Sequence, residues 1–410
     1  MKYGLIGERL EHSFSKKIHE RLGYEYELRE ISPEGLGAFM REKDFLGINV
    51  TMPYKAAVIP YLDEIDEAAR EIGAVNTIVN RGGMLYGYNT DFYGLCALIT
   101  RARINVCGKK AVILGTGGTS NTAAAVLKHL GAGEIIKVGR SKSDGNISYD
   151  DFWTNHLDAR IIVNTTPVGM YPNLNGMPID IYEVEGAEAI IDAVYNPLRT
   201  LAVQCGENMG AKAHGGLYML VAQAIRASEI FFDKSYPEQL TERIYREIKS
   251  EKENIVLIGM PSSGKSTVGR IIAERLGRRF VDTDELICER IGTSIAEFFS
   301  KQCEAEFRRI ESQVIESLAC ENGIVISTGG GAVLDKRNIY NLKYNGTVFF
   351  IDRKLCDLIP TDDRPLSKDA SAMERLYKER YSIYLDECDE PIKADGDAEY
   401  VAEKIMEFYR

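Results

Sequence analysis

The sequence predicts an α/β protein with a doubly wound parallel sheet and more than one domain. Two glycine-rich turns, each placed after an apolar run and before a helical stretch, are the first observation. Gly115-Thr116-Gly117-Gly118 follows 111–114, and Gly259-Met260-Pro261-Ser262-Ser263-Gly264-Lys265-Ser266-Thr267 follows 255–258. The second observation is the alternation of short aliphatic runs with segments of crossover length around both turns. The third is length, since 410 residues exceed what a single core organises.

In chain order, 2–6, 47–51 and 77–80 read as strands and 16–22 and 65–72 as helices, short elements alternating up to about residue 96. The alternation then sharpens, with strands at 111–114, 135–139, 161–164 and 190–193 and helices at 218–232 and 237–249. The charge-dense stretch Lys249-Ser250-Glu251-Lys252-Glu253-Asn254 breaks the pattern and reads as a linker. A fresh αβ pattern begins at 255, with strands at 255–258, 280–282, 324–327 and 347–351.

Hydrophobic residues at 45% and charged residues at 27% are ordinary for a soluble globular protein. The net charge of −11 argues against a nucleic-acid partner, which selects basic surfaces. No run of about 18 apolar residues predicts a membrane span. The opening Met1-Lys2-Tyr3-Gly4-Leu5-Ile6-Gly7 turns polar before a signal-type run can form. Its 8 cysteines include no Cys-x-x-Cys pair and no Cys/His cluster, so the expected setting is a reducing cytoplasm rather than a zinc or disulfide framework.

The first turn has dinucleotide-site chemistry. Gly115 permits the tight bend, and Gly117 lets the backbone approach a pyrophosphate at the helix N-terminus formed with Thr116 and Gly118. Ser120 stands where a third glycine is usual. After the next strand the chain reads Val138-Gly139-Arg140-Ser141-Lys142, a guanidinium where an NAD site places an acid. Its fork matches a 2′-phosphate, which favours NADP.

Polar residues gather at strand and loop ends upstream: Ser13-Phe14-Ser15, Asn49-Val50-Thr51-Met52-Pro53-Tyr54-Lys55, Gly73-Ala74-Val75-Asn76-Thr77 and Gly87-Tyr88-Asn89-Thr90-Asp91. Hydroxyls, amides, one ammonium and one carboxylate can bind a small polyol and protonate an alkoxide as hydride arrives. With Asn164-Thr165-Thr166-Pro167-Val168-Gly169-Met170, Asp192-Ala193-Val194-Tyr195-Asn196-Pro197 and Met219-Leu220-Val221-Ala222-Gln223-Ala224, these segments resemble the shikimate dehydrogenase family, in family order over about 1–248. The resemblance implies NADPH-dependent reduction of 3-dehydroshikimate to shikimate, with Lys55 and Asp91 as the catalytic pair. It implies that Ser13, Ser15, Thr51, Asn76, Asp91, Tyr195 and Gln223 hold the ring substituents, and that Arg140 and Ser141 face the 2′-phosphate. Gly139 replaces an asparagine frequent in the family.

The second turn is a Walker A pattern, in which backbone N–H groups wrap phosphates, Lys265 reaches the β/γ oxygens and Ser266 can ligate Mg²⁺. Downstream, Asp282 and Asp284 stand at i,i+2 spacing at an expected strand end, projecting the same way. Arg308 and Glu311 share a helical face, where the acid can orient the guanidinium. Gly329-Gly330-Gly331 closes the strand 324–327 and admits close approach of a ring. These features, with Arg364-Pro365-Leu366 and a late Arg380, resemble shikimate kinase over about 252–410. The resemblance implies that Asp284 contacts the acceptor diol and acts as base. Asp282 would lie near Mg²⁺, Arg308 and Arg380 would clamp the carboxylate, and Arg364 with Lys265 would stabilise the transferring phosphoryl. Ser262 replaces a frequent glycine. The segment 352–363 is short and acidic, with Asp357 where an arginine is often found.

The whole predicts a bifunctional enzyme using NADPH, ATP and Mg²⁺ on 3-dehydroshikimate and shikimate; nothing in it sets an oligomeric state. The expected domains are a substrate-binding αβ domain at 1–96 completed by 214–248, a Rossmann domain at 97–213, a linker at 249–254 and a P-loop αβα kinase domain with a mobile lid at 255–410. Two other readings are an NAD-dependent quinate/shikimate dehydrogenase and an inactive metabolite sensor. Arg140 with Ser13 and Ser15 opposes the first, and the presence of Lys55, Asp91, Lys265 and Asp284 opposes the second.

Overall fold

The computed structural model of the protein describes residues 1–10, 13–142, 145–359 and 369–409. The chain divides into two compact units, Met1–Ile248 and Lys249–Arg410.

In the first unit β1 (Tyr3–Gly7), β2 (Glu27–Glu30), β3 (Gly47–Val50), β4 (Glu64–Ile65), β5 (Thr77–Arg81) and β6 (Met84–Tyr88) form a mixed sheet of order β2-β1-β3-β5-β6-β4. β1 runs parallel to β2 and β3, and β5 antiparallel to β3 and β6. Gly82 and Gly83, at φ 64° and 91°, supply the left-handed pair that a two-residue hairpin turn requires. Ile6, Ile48, Val50, Ile78 and Leu85 fill one face against Leu36, Phe39 and Met40 of the helix Pro33–Glu42.

The unit's second sheet comprises β7 (Lys110–Leu114), β8 (Glu134–Gly139), β9 (Ile147–Ser148), β10 (Ile161–Asn164), β11 (Ala189–Asp192) and β12 (Lys212–His214), all parallel, in the order β12-β11-β10-β7-β8-β9. Its central strands are continuous apolar runs because helices cover both faces. Ala111 and Ile113 pack with Ala123, Val126 and Leu127 of the helix Gly118–His129, while Val112 and Leu114 pack with Phe152, Ala202 and Val203. The helix Leu217–Phe232 follows this sheet in sequence, yet its Ala227 and Phe231 pack on Leu5 of the first sheet. It also crosses the helix Thr90–Arg101 closely: a Cβ on Gly94 would stand 2.5 Å from the Met219 carbonyl oxygen.

The second unit has one parallel sheet, β13 (Asn254–Ile258), β14 (Phe280–Asp282), β15 (Val325–Ser327), β16 (Gly346–Asp352) and β17 (Glu390–Lys393), ordered β14-β15-β13-β16-β17. Ile255 and Leu257 face Val268, Ile272 and Val401, and Val256 and Ile258 face Ile315, Ile339 and Met373. Among the described residues no helix is long and apolar enough to cross a membrane.

Three local expectations change. The charged stretch 249–254 is not a separate linker: it contains the last turn of the helix Gln239–Lys252 and the first residue of β13. Glu253 accepts from Thr347 at 2.7 Å, and Asn254 donates to the Glu321 carbonyl at 2.8 Å. Charge density fits a solvated helix face as well as a tether, and here the backbone decides, with Glu253 N donating to the Lys249 carbonyl at 2.8 Å and Asn254 N to the Asn345 carbonyl at 2.7 Å. The helix expected at 65–72 starts later, at Glu67, because Asp66 caps it by accepting from Ala69 N at 3.0 Å. β2 went unanticipated because Glu27-Leu28-Arg29-Glu30 is an exposed edge with no apolar alternation.

Candidate active sites

In the first unit Lys55 follows the turn after β3, and Asp91 lies in the first turn of the helix Thr90–Arg101. The residue that caps this helix is Asn89, which accepts from Phe92 N at 3.1 Å, so capping does not occupy Asp91. Lys55 Nζ meets Asp91 Oδ2 at 2.6 Å, with side-chain exposures of 18% and 12%. The pair is largely withdrawn from water yet open on one side.

A buried polar network stands beside it. Asn76 Oδ1 accepts from Thr90 N at 2.7 Å, and the Thr90 hydroxyl lies 3.2 Å from both Asn76 Oδ1 and Gln223 Oε1, between which its one proton is shared. Thr90 thereby joins Asn76 to Gln223, which lies 133 residues beyond Thr90 in the chain. Asn49 donates to Thr77 Oγ1 at 3.0 Å and accepts from Tyr26 at 2.7 Å. Asn49, Thr77 and Thr90 were not singled out as site residues; they occur within the quoted motifs, and only their burial reveals a shared role. Ser13 Oγ accepts from Ser15 N at 3.2 Å, and Phe14 between them packs its ring 5.2 Å from that of Tyr195. Thr51 follows β3, half-buried.

The glycine turn after β7 adjoins this region. Asn89 donates to the Ala74 carbonyl at 2.9 Å and lies 3.4 Å from Thr122 of the helix Gly118–His129. Gly115 has φ 112°, and a Cβ there would meet Thr165 Oγ1 at 2.7 Å; around Gly117 the corresponding space is open. Ser120 is buried and donates to the Gly117 carbonyl at 2.6 Å, so the departure from a third glycine braces the turn. Arg140 and Ser141 are exposed beyond β8. A Cβ on Gly139 would meet Thr116 at 2.7 Å and Asn146 at 2.8 Å, which accounts for glycine there. Asp192 ties the ends of β10 and β11, accepting from Asn164 at 3.0 Å, Val194 N at 2.9 Å and Thr200 at 2.7 Å. Burial pushes its carboxyl up to about 6.

In the second unit the loop 259–264 leads into the helix Lys265–Leu276. Gly259, Ser262 and Gly264 have φ of 146°, 63° and 94°; at Ser262 the left-handed backbone costs about 1 kcal/mol more than it would with glycine. Lys265 is buried, donating to the Gly259 and Met260 carbonyls at 3.0 and 2.8 Å. Ser263 is buried, and Thr267 is exposed. Ser266 Oγ donates to Asp282 Oδ2 at 2.6 Å, which brings the two candidate metal ligands together.

Asp284 does not continue a strand beside Asp282. β14 ends at Asp282, which caps the helix Thr283–Ile291 by accepting from Asp284 N at 3.0 Å. Asp284, in the first turn of that helix, lines a cavity of ≈ 650 Å³ together with Asp282, Arg308, Glu311, glycines 329–331 and Arg380. Asp284, Arg308 and Arg380 come from three helices. Arg308 donates to Glu311 at 2.7 Å and to Glu304 at 3.0 Å. Burial raises the Glu311 carboxyl above its ordinary range, against the lowering effect of Arg308, and Glu311 Oε1 has no hydrogen-bond partner among the described residues. Arg380 is buried and donates to the Gly330 carbonyl at 3.1 Å, as does Tyr384.

The triple glycine is explained by this protein's own side chains. Cβ atoms would meet Asp284 at 2.6 Å from Gly329, Pro261 at 2.9 Å from Gly330, and would overlap the Arg308 guanidinium from Gly331. Arg364, with 360–368, lies outside the described residues, as does the end of the segment 352–363 expected to form the lid.

Known proteins match the first unit, and a family model matches the second. A relative from Clostridium beijerinckii, shikimate dehydrogenase (NADP(+)), is 37% identical over 265 residues, covering 61% of this chain and 98% of its own length. The chain belongs to the shikimate dehydrogenase family. The family model for the shikimate dehydrogenase substrate binding domain matches residues 5–78, and the shikimate kinase model matches 261–410. The crystal structure of shikimate dehydrogenase 1 from Peptoclostridium difficile is 40% identical with a TM-score of 0.57, covering 60% of this chain and 98% of that one. A shikimate 5-dehydrogenase from Thermus thermophilus, solved with NADP(H) and shikimate, is 27% identical with a TM-score of 0.55, covering 60% of this chain and 99% of that one. The chain thus joins a shikimate dehydrogenase to a C-terminal shikimate kinase domain.

Proposed function

We propose that the two units catalyse consecutive reactions at one oxygen of one ligand: NADPH-dependent reduction of 3-dehydroshikimate to shikimate, then ATP-dependent phosphorylation to shikimate 3-phosphate. The observation that carries the reading is that each unit sets a donor cradle beside a polar pocket suited to the same small hydroxy acid. The half-buried Lys55–Asp91 pair at 2.6 Å adjoins Asn76 and Gln223 in the first. Asp284 adjoins Arg308 and Arg380 in the second.

The open space at Gly117 and the exposed Arg140 and Ser141 fit NADP, with a phosphate at the helix N-terminus and a guanidinium for the 2′-phosphate. Bound NADPH supplies the hydride. Lys55 donates a proton to the carbonyl oxygen as it becomes an alcohol and regains one from solvent, while Asp91 holds the ammonium in place. Asn76 and Gln223, fixed through Thr90, orient the ring hydroxyls. Ser13, Ser15, Thr51 and Tyr195 complete the grip on the substrate.

In the second unit the loop 259–267 fits a nucleoside triphosphate, and the Ser266 hydroxyl with the Asp282 carboxylate fits Mg²⁺, a small cation that takes few protein oxygens. Bound ATP with Mg²⁺ supplies the phosphoryl group. Asp284 takes the proton of the acceptor hydroxyl, and Arg308 and Arg380 hold the carboxylate. Lys265 and Arg364 offset charge on the transferring group. The full-length chain, given 3-dehydroshikimate, NADPH, ATP and Mg²⁺, should form shikimate 3-phosphate, and should stop at shikimate without ATP. Shikimate accumulation with ATP present would overturn the kinase half. A strong preference for NADH would overturn the cofactor assignment.

A further inference from the structure

The nucleotide loop of the second unit carries a cation that no motif predicts. Arg353 leaves the end of β16, half-buried, and its Nε donates to the Ser263 carbonyl at 3.1 Å. One terminal amino group lies 3.8 Å from where a Cβ on Gly264 would stand. Those terminal groups make no hydrogen bond or ion pair among the described residues. The neighbouring carboxylate, Asp352, is directed to Lys393 at 3.7 Å and Tyr381 at 3.4 Å instead.

A guanidinium with no acidic partner among the described residues, anchored by one nitrogen at the rim of an anion-binding loop, adds its charge to the field of the helix N-terminus at Gly264. Its free fork matches phosphate oxygens. No other arginine occurs between Arg353 and Arg364. We propose that Arg353 binds the polyphosphate of the nucleotide from the rim of the loop, as a second cation beside Lys265. This inference rests on the reading of the second unit as a nucleotide-dependent kinase and names a residue of that site.

The test is binding of a fluorescent N-methylanthraniloyl ADP with Mg²⁺ to the full-length chain. Arg353→Gln keeps an N–H for the Ser263 carbonyl but removes the charge, and should weaken binding about tenfold. Arg353→Lys should retain most of the affinity, and added ethylguanidinium should partly restore Arg353→Ala. The salt dependence of binding should be shallower in Arg353→Gln than in the native chain. Native affinity in Arg353→Gln would overturn the proposal by reducing Arg353 to a loop brace. Weakened binding with an unchanged salt dependence would overturn it in favour of stacking on the base. A native chain that binds the ADP analogue but never phosphorylates shikimate would refute the kinase reading. The Arg353 assignment would then still be decided by the binding measurements alone.

Discussion

Replacing Gly331 by alanine tests the kinase pocket with a single methyl group. Gly331 has φ −104° and ψ −3°, ordinary for any residue, so the substitution adds no backbone strain. The new Cβ would lie well inside 3.0 Å of the Arg308 guanidinium, a separation real Cβ contacts do not reach. The guanidinium is the far end of a flexible side chain, so it swings away at little expense to folding. Its departure removes the donor at 2.7 Å from Glu311, a residue 1% exposed. Glu311 then loses the partner that opposes the upward push of burial on its carboxyl. The binding effect is larger: loss of a charge-assisted contact to the shikimate carboxylate is worth about 2–3 kcal/mol, or roughly 30- to 150-fold in affinity. The assay is ADP release with varied shikimate, where KM should rise by that factor. ADP affinity and NADPH-dependent reduction should stay at native values in the same sample. A shikimate KM within about threefold of native would falsify the claim that Arg308, held against Gly331, grips the substrate.

Other expectations follow from the same geometry. Lys55→Ala should lower reduction of 3-dehydroshikimate by about 10²–10⁴-fold while added shikimate is still phosphorylated, and Lys265→Ala should do the reverse; a folded variant lacking both activities would contradict two independent sites. Arg140→Ala should lower kcat/KM for NADPH about tenfold or more and leave that for NADH unchanged, as read from cofactor oxidation. The Asp192 carboxyl, pushed up to about 6 by burial, stabilises the fold fully below about pH 4 and loses that contribution as pH rises through about 6. Uncharged Asp192→Asn should therefore flatten the fall in the first unit's urea midpoint between about pH 4 and 7. Parallel curves for native and variant chains would show that Asp192 does not titrate in this range.

What was legible in the sequence follows from how local each signal is. The Walker A loop is contiguous, with glycine, lysine and serine at fixed spacing, and Lys265 and Ser266 stand where that pattern expects. The Lys55–Asp91 pair joins residues 36 apart, so motif order could nominate both partners but not their contact. Asp282 and Asp284 are a mixed case: both line the cavity, but a helix starts between them, so they do not share a strand and Asp282 also caps that helix through Asp284 N. β2 and the stretch 249–254 were misjudged because charged sequence is compatible with edge strand, helix surface or tether alike.

The sequence by itself determined the alternating αβ pattern, the two glycine turns and the residue types able to serve a hydroxy acid, since these depend on local periodicity and on backbone freedom at a few glycines. Only the tertiary structure decided which of those residues meet. Thr90 joining Asn76 to Gln223, Arg308 lying over Gly331, and Arg353 reaching the Ser263 carbonyl are contacts between distant segments. They are set by how sheets and helices pack, and no spacing along the chain encodes that.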